Sequence, residues 1–475
     1  MQEVDTHTVF LILASTTTVM VMASILSIYL GRRTASSEDW AVGGHDLPLY
    51  VIVGTQYATA MGGGILVGLV GIGYSSGWSV ITYGFWPVIG ILLFTAMAPW
   101  LRSQGFATLP DVFERLYGRE PVLLGLVSLA CIVVPFGWIA TQLVAFGKLF
   151  AELTGLPMPV LMIAMSIVGL ILVMPAGLTS VAWTDFIFGC LMLVMSFTSL
   201  VFALGLAGGW TGVREGVPAE LIEFPGALGA AGSTTILLWA LAILPGTLTN
   251  QMYYQRIYAI RDGRQARVSL VASAIVILFS IVWAAVVGLA LRASQPGLDP
   301  ELAAGWFLAQ LPPWFLALYA GFIAATIVST IDSAVQSTTV NLTRDVYQKL
   351  LNPAASDNRL LNLSRILALV VTALATTWAI AWPEALGWLV ATYAYSASGL
   401  LFPLFLGYAF RNTGHLTTQG ATAGVVLGFA GSAVAQVVGT ELPYVAYGLM
   451  SSLFGLVAVS LATRRLAAAD RAAAS

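Results

Sequence analysis

Charge is what this chain has least of. Asp, Glu, Lys and Arg make up 9% of its 475 residues, against about a quarter in a soluble domain, too few for a surface that faces water. Histidine occurs three times, at His7, His45 and His415, all outside the apolar stretches, so a histidine proton relay or metal cluster is not expected. The two cysteines, Cys131 and Cys190, both fall inside apolar stretches, which argues against a disulfide framework. No nucleotide-binding loop, catalytic triad or zinc-ligand spacing occurs, so an enzyme or an ATP-driven pump finds no support. What the chain does have is apolar: 58% hydrophobic residues and a mean hydropathy of +0.88.

The apolar stretches run roughly over 9–30, 48–73, 78–101, 121–151, 157–175, 178–207, 232–257, 267–292, 313–342, 360–382, 385–409, 416–438 and 443–463. At roughly 20 residues per crossing this predicts an all-α membrane protein with about 13 transmembrane helices and no separate soluble domain. All of the 20 Lys and Arg except Lys148, Arg214 and Arg292 fall in alternate gaps, from Arg32 and Arg33 through Arg102, Arg115 and Arg119 to Arg464, Arg465 and Arg471. The opposite gaps carry Glu215, Glu220, Glu223, Asp299, Glu301, Glu384 and Glu441. Positive charge stays inside on insertion, which predicts a multi-pass protein of the cell inner membrane or plasma membrane with its N-terminus outside and C-terminus cytoplasmic. The first stretch lacks a basic start and a cleavage pattern and reads as a retained span. Arg256, followed by Arg261, Arg264 and Arg267, reads as one more topology anchor.

Two spans interrupt their own helical pattern. The second contains Gly62-Gly63-Gly64 near mid-membrane, and the seventh contains Leu244-Pro245-Gly246 ahead of Asn250. Unpaired backbone in hydrocarbon costs several kcal/mol per group, so such breaks persist where they line a protein-enclosed cavity. Each break opens a set of five spans, and because five is odd the two sets run in opposite orientation. The predicted organisation is an N-terminal extra span and loop (1–47), a first five-helix repeat (48–208), a second repeat (232–410), and two C-terminal spans with a short tail (411–475).

Polar residues inside spans are suspects for function. The ninth span carries Thr326, Ser329, Thr330 and Ser333 at i, i+3, i+4, i+7 spacing, one helical face with Asp332 beside it. A row of hydroxyls and carbonyls suits a dehydrated alkali cation better than a divalent ion or a soft metal. In the sixth span, Trp183-Thr184-Asp185 sets a carboxylate one or two turns into the helix.

These segments resemble the sodium/solute symporter family, which includes transporters of proline, galactose, sialic acid, pantothenate and choline. The resemblance rests on Gly68 to Tyr74 after the broken second span, Leu101 to Asp111, Ala182 to Asp185, Tyr254-Gln255-Arg256, and Ser329 to Ser333 followed by Asp345-Val346-Tyr347. It implies a five-plus-five inverted-repeat, LeuT-like transporter fold. It implies a main sodium site at the carbonyls of Ala58, Met61 and Thr326 and the hydroxyls of Ser329 and Thr330, and, on the pattern of the members with two sodium sites, a further one at Asp185, Ser329, Asp332 and Ser333, where Asp332 replaces the serine of that pattern. It also points to a solute site built from Gln56, Tyr57, Thr59, Ala60, Gly62, Gly63, Trp138, Gln142, Asn250 and Tyr254. The wording is closest to the choline-transporting branch, but Ala60 and Asn250 stand where that branch places tryptophans, so its aromatic cage for a quaternary ammonium is incomplete.

The expected function is sodium-coupled import of a small organic solute by alternating access, with Na+ as the coupling ion. A monocarboxylate or amino-acid-like solute is favoured, then a polar neutral or quaternary ammonium one. The expected partners are the solute and the lipid bilayer, with no nucleic acid, in a monomer or homodimer. A channel would need a continuous pore, and a transporter-like sensor a signalling domain beyond the about ten residues after Arg465.

Overall fold

The computed structural model describes residues 5–32 and 36–473, with backbone alone at 385, 386 and 466–473. Arg33 lies outside the described residues, as do residues 1–4, 34, 35, 474 and 475. Among the described residues, 11 helices are long and apolar enough to span a bilayer; one further crossing is a pair bent by 50°, and Met158–Val173 is a shorter apolar helix. In chain order the spans are α1 (Thr6–Gly31), α2 (Leu49–Met61 and Gly64–Ser76), α3 (Ser79–Ser103), α4 (Pro121–Thr154), α5 (Met158–Val173), α6 (Leu178–Leu206) and α7 (Ser233–Thr249 and Gln251–Ala259). They continue with α8 (Gly263–Ser294), α9 (Pro313–Val340, extended by wider turns to Leu351), α10 (Asp357–Ala381), α11 (Ala385–Ala409), α12 (Thr418–Val438) and α13 (Tyr444–Ala473).

Local chemistry sets the ends. Glu120 caps α4 by accepting from the Leu123 amide at 2.6 Å, Pro121 takes the first helical position, and Gly155 closes the helix at φ 69°. Asp262 caps α8 through the amides of Arg264 and Gln265 at 2.8 and 2.9 Å.

Packing follows a two-fold rule. α2 lies on α6 as α7 lies on α11, and α2 lies on α8 as α7 lies on α3. The α4–α11 contact is mirrored by α9–α6, while α3–α8 and α4–α9 map onto themselves. Exchanging the five spans from α2 with the five from α7 therefore maps these contacts onto one another, as an inverted repeat requires. Outside it, α1 packs on α9, and α12 and α13 pack on each other and on α11.

The two breaks differ. α2 stops at Met61 because Gly62 turns to φ −36°, ψ −168°. A Cβ on Gly62 would overlap the Thr330 hydroxyl and the Gln142 side-chain oxygen, so only glycine lets the backbone come this close. α7 continues as helix through Pro245 and is interrupted at Asn250 (φ −78°, ψ 112°), whose side chain caps the second half through the Met252 amide at 3.0 Å. Pro245 sits inside the helix; a proline removes one ladder hydrogen bond, which by itself kinks rather than ends a helix.

The alternate gaps meet on one face. Arg102 donates to the carbonyls of His45 and Ile260, Arg261 pairs with Asp46 at 2.6 Å, and Arg119 reaches the Lys349 carbonyl at 3.4 Å. Lys349 pairs with Asp111, with Glu114 at 3.2 Å and with Asp345 at 3.1 Å. On the opposite face, Trp78 donates to the Leu221 carbonyl at 3.1 Å, the Tyr74 hydroxyl to that of Gln295 at 2.7 Å, and Lys148 pairs with Glu301.

Candidate functional site

Three groups of residues meet where α2 is broken. The first joins α2 to α9. The Ser329 hydroxyl lies 2.8 Å from the Thr326 carbonyl and 3.4 Å from the Ala58 carbonyl, and the Thr330 hydroxyl donates to the Thr59 carbonyl at 3.0 Å. Ala58, Met61, Thr326, Ser329 and Thr330 are all buried. The carbonyls of Ala58 and Thr326 converge on Ser329 because the i, i+3, i+4 face of α9 packs against the end of the first half of α2. This donor set is all oxygen and uncharged, the chemistry of a sodium ligand shell, and the described residues hold no cluster of three His, Cys, Asp or Glu that would favour another metal.

The second group is charged. Asp185, on α6, accepts from Thr55 at 2.5 Å, Thr59 at 3.2 Å and Ser333 at 3.3 Å, all through Oδ2. Arg256 enters the same cluster, although the sequence reading places it among the anchors. Its Nη2 donates to Thr59 at 2.6 Å, Ser333 at 2.8 Å and Thr55 at 3.0 Å and stands 3.5 Å from Asp185; its Nε donates to Thr55 at 3.1 Å, and its Nη1 to the Met252 carbonyl at 3.0 Å. Arg256 is 1% exposed. The correction has a physical reason: after the interruption at Asn250 the second half of α7 is buried at all nine positions from Gln251 to Ala259, so the guanidinium points into the core while Arg261, two residues past the helix, reaches solvent. The visible hint is that Arg256 precedes Ile257 and Tyr258, whereas Arg261 and Arg264 flank Asp262 and Gly263. Asp332 is fully buried beside this group, and neither of its carboxyl oxygens has a hydrogen-bond partner.

The third group lines a small cavity, about 50 Å³ open to the centres of water-sized molecules, at the crossing of α2, α3, α4, α7, α8 and α11. Of the ten residues expected around the solute, Thr59, Ala60, Trp138 and Gln142 line it. The other six are not among its lining residues. Gln56 accepts from Ser273 at 2.5 Å and Tyr57 from Ser280 at 3.3 Å, both on α8. Tyr254 donates to the Leu248 carbonyl at 2.8 Å, Asn250 caps its helix, and the Gly63 amide donates to Gln142 Oε1. A helix turns consecutive residues to different neighbours, so Gln56 and Tyr57 face α8 while Thr59 and Ala60 face the cavity. Missing from the expectation are Tyr83, Tyr253 and Tyr393, which with Trp138 put four aromatic rings in the wall; Trp138 and Tyr393 meet edge-to-face at 5.8 Å. No Asp, Glu, Lys or Arg lines this cavity. The Tyr83 hydroxyl and Trp138 Nε1 are buried without a partner.

Comparison with known proteins gives the family and the fold. The profile of the Sodium:solute symporter family matches residues 40–428. The chain is 22% identical to the sodium/glucose cotransporter of Vibrio parahaemolyticus, covering 93% of this chain and 89% of that one. It is 27% identical to the high-affinity proline transporter PutP of Bacillus subtilis (86% and 88% covered) and 27% identical to the high affinity choline transporter 1 of Homo sapiens (84% and 71%). A solved Na+-coupled sialic acid symporter, substrate-bound and outward-open, superposes with a TM-score of 0.82 at 18% identity over 95% of this chain and 97% of that one, which establishes the shared fold. With its broken α2, its inverted repeat and a family match over most of its length, this chain belongs to the sodium:solute symporter family and is a membrane-embedded, sodium-coupled symporter of a small solute.

Proposed function

We propose that the coupling sodium binds between α2 and α9, at the carbonyls of Ala58, Met61 and Thr326 and the hydroxyls of Ser329 and Thr330. The observation that carries this reading is the Ser329 hydroxyl between the Ala58 and Thr326 carbonyls. A cation there replaces hydroxyl-to-carbonyl hydrogen bonds with ion–oxygen contacts and ties the first half of α2 to α9. That tie fixes Thr59, whose carbonyl meets Thr330 and whose side chain reaches the cavity wall. Sodium and solute therefore favour the same conformation, which is the differential affinity that coupled transport needs.

The solute we propose is a small monocarboxylate or amino-acid-like compound. The wall is largely apolar, carries no charged side chain, and offers the unpartnered Tyr83 hydroxyl and Trp138 indole N–H as donors to a carboxylate. The freed Gly63 amide is already taken by Gln142 and is not among these donors. A second reading, a quaternary ammonium solute, draws support from the four rings of Tyr83, Trp138, Tyr253 and Tyr393. Orientation is part of the proposal: the Arg-rich face is cytoplasmic, which makes the direction of coupled transport inward.

Thermal stabilisation of the purified protein separates the two readings. Short monocarboxylates and amino acids are expected to raise Tm in sodium and not in potassium, and to exchange in counterflow across proteoliposomes. Stabilisation by millimolar choline, with none by any carboxylate, would overturn the carboxylate reading in favour of the ammonium one.

A further inference from the structure

The guanidinium of Arg256 meets two of the four residues at which a further sodium was expected, Asp185 and Ser333. Its Nη2 lies within 3.5 Å of oxygens from Thr55 and Thr59 on α2, Asp185 on α6 and Ser333 on α9, and its other nitrogens add Thr55 and the Met252 carbonyl. Hydroxyls, a carboxylate and backbone oxygen gathered around one positive charge are the surroundings of a coordinated alkali ion; here the charge is covalently part of the chain. We infer that Arg256 stands in for a second coupling ion, so that this symporter binds and moves one sodium per transport cycle.

Charge bookkeeping leads to the same number. The buried centre holds two carboxylates, Asp185 and Asp332, and one guanidinium, all at most 1% exposed. With both carboxyls ionised their formal sum lacks a single positive charge, and in a dry interior an uncompensated charge is expensive. Asp332 follows Ser329 by three residues, one turn along α9, so the main sodium site lies next to the carboxylate that Arg256 leaves without a partner. One sodium there brings the centre to neutrality. A second would leave it positive and would have to displace the guanidinium from oxygens it already holds. This inference rests on the main sodium site proposed above.

The test uses sodium alone as the probe. Equilibrium binding of radioactive sodium to the purified full chain, without solute, is expected to saturate at one ion per protein. Two ions bound by the wild type would overturn the inference and leave the main site standing. No saturable sodium at all would overturn the main site itself, a different failure with a different reading. Arg256→Met removes the charge with little change in length and is expected to bind two ions, the second entering against Asp185. Arg256→Lys keeps the charge and is expected to return to one. A Met variant that folds and still binds one ion would show that the guanidinium fills no ion site; should that variant not fold, the wild-type count decides.

Discussion

Thr59 belongs to all three groups at the centre of the protein. Its side chain lines the cavity, accepts from Arg256 at 2.6 Å and donates to Asp185 at 3.2 Å, and its carbonyl accepts from Thr330. Single residues here carry separable jobs, which mutation can resolve. Replacing Ser329 and Thr330 together with Ala removes two of the five proposed sodium oxygens. The sodium concentration for half-maximal uptake is expected to rise tenfold or more, about 1.4 kcal/mol, and unchanged sodium dependence would remove the site from α9. Tyr83→Phe deletes a hydroxyl that has no partner within the protein, so Tm should hold. If the solute accepts from that hydroxyl, KM should rise by roughly fivefold to tenfold, about 1 to 1.5 kcal/mol; a fall in Tm with KM unchanged would assign the hydroxyl a structural role.

At the scale of the element, the break in α2 is the device that brings backbone oxygen to α9. Gly62 permits it through space as much as through torsion, since a methyl group there would meet Thr330 and Gln142 from two sides. Gly62→Ala is therefore expected to push α9 away from the Ala58 carbonyl and to weaken sodium as the double Ala variant does. Sodium-dependent uptake measured beside Gly229→Ala, a site where a Cβ meets nothing within 4 Å, would show whether the effect belongs to the break or to lost glycine flexibility in general. The seventh span teaches the complementary lesson. Proline at 245 did not end its helix; the polar Asn250, able to cap the half that follows, marks where the helix is interrupted.

At the scale of the whole molecule, alternating access requires that one face close while the other opens, and here the Arg-rich face is fastened. Lys349 at the end of α9 holds Asp111 and Glu114 of the short helix Leu109–Tyr117, and the Thr108 hydroxyl donates to Asp345 at 2.9 Å. Burial alone would raise the Asp111 carboxyl, but Lys349 and Arg344 beside it outweigh burial and hold it below the usual carboxylate range. The sign follows. A carboxyl whose folded value lies below its unfolded value stabilises the closed face above about pH 4 and loses that contribution as pH falls through and below it. The wild type should lose Tm on acidification below about pH 5 more steeply than Asp111→Asn, which should start lower and change less. Parallel acid profiles would show that the latch adds nothing. At neutral pH the same variant, carrying Cys190→Ser, should expose the buried Cys131 of α4 to thiol reagents faster than its parent if the latch keeps this face shut.

Much of this was legible before any coordinates. The spans were, because apolar stretches of about 20 residues and more can satisfy their backbone in a membrane by winding into helices, whereas barrel strands are shorter and alternate. The inverted repeat was legible from two breaks five spans apart, and the stripe Thr326, Ser329, Thr330 and Ser333 from helical spacing alone, because both depend on distances along the chain. The tertiary structure decided what depends on distances across it. Tyr83, Tyr253 and Tyr393 come from α3, α7 and α11 and carry no local pattern that marks them as one wall. Arg256 shares its stretch of sequence with arginines at the membrane edge, and only the burial of the whole second half of α7 sets it against Asp185. Sequence spacing fixes which residues share a helix face; which faces then meet is set by packing between spans far apart in the chain, and the proposed binding sites lie where those faces meet.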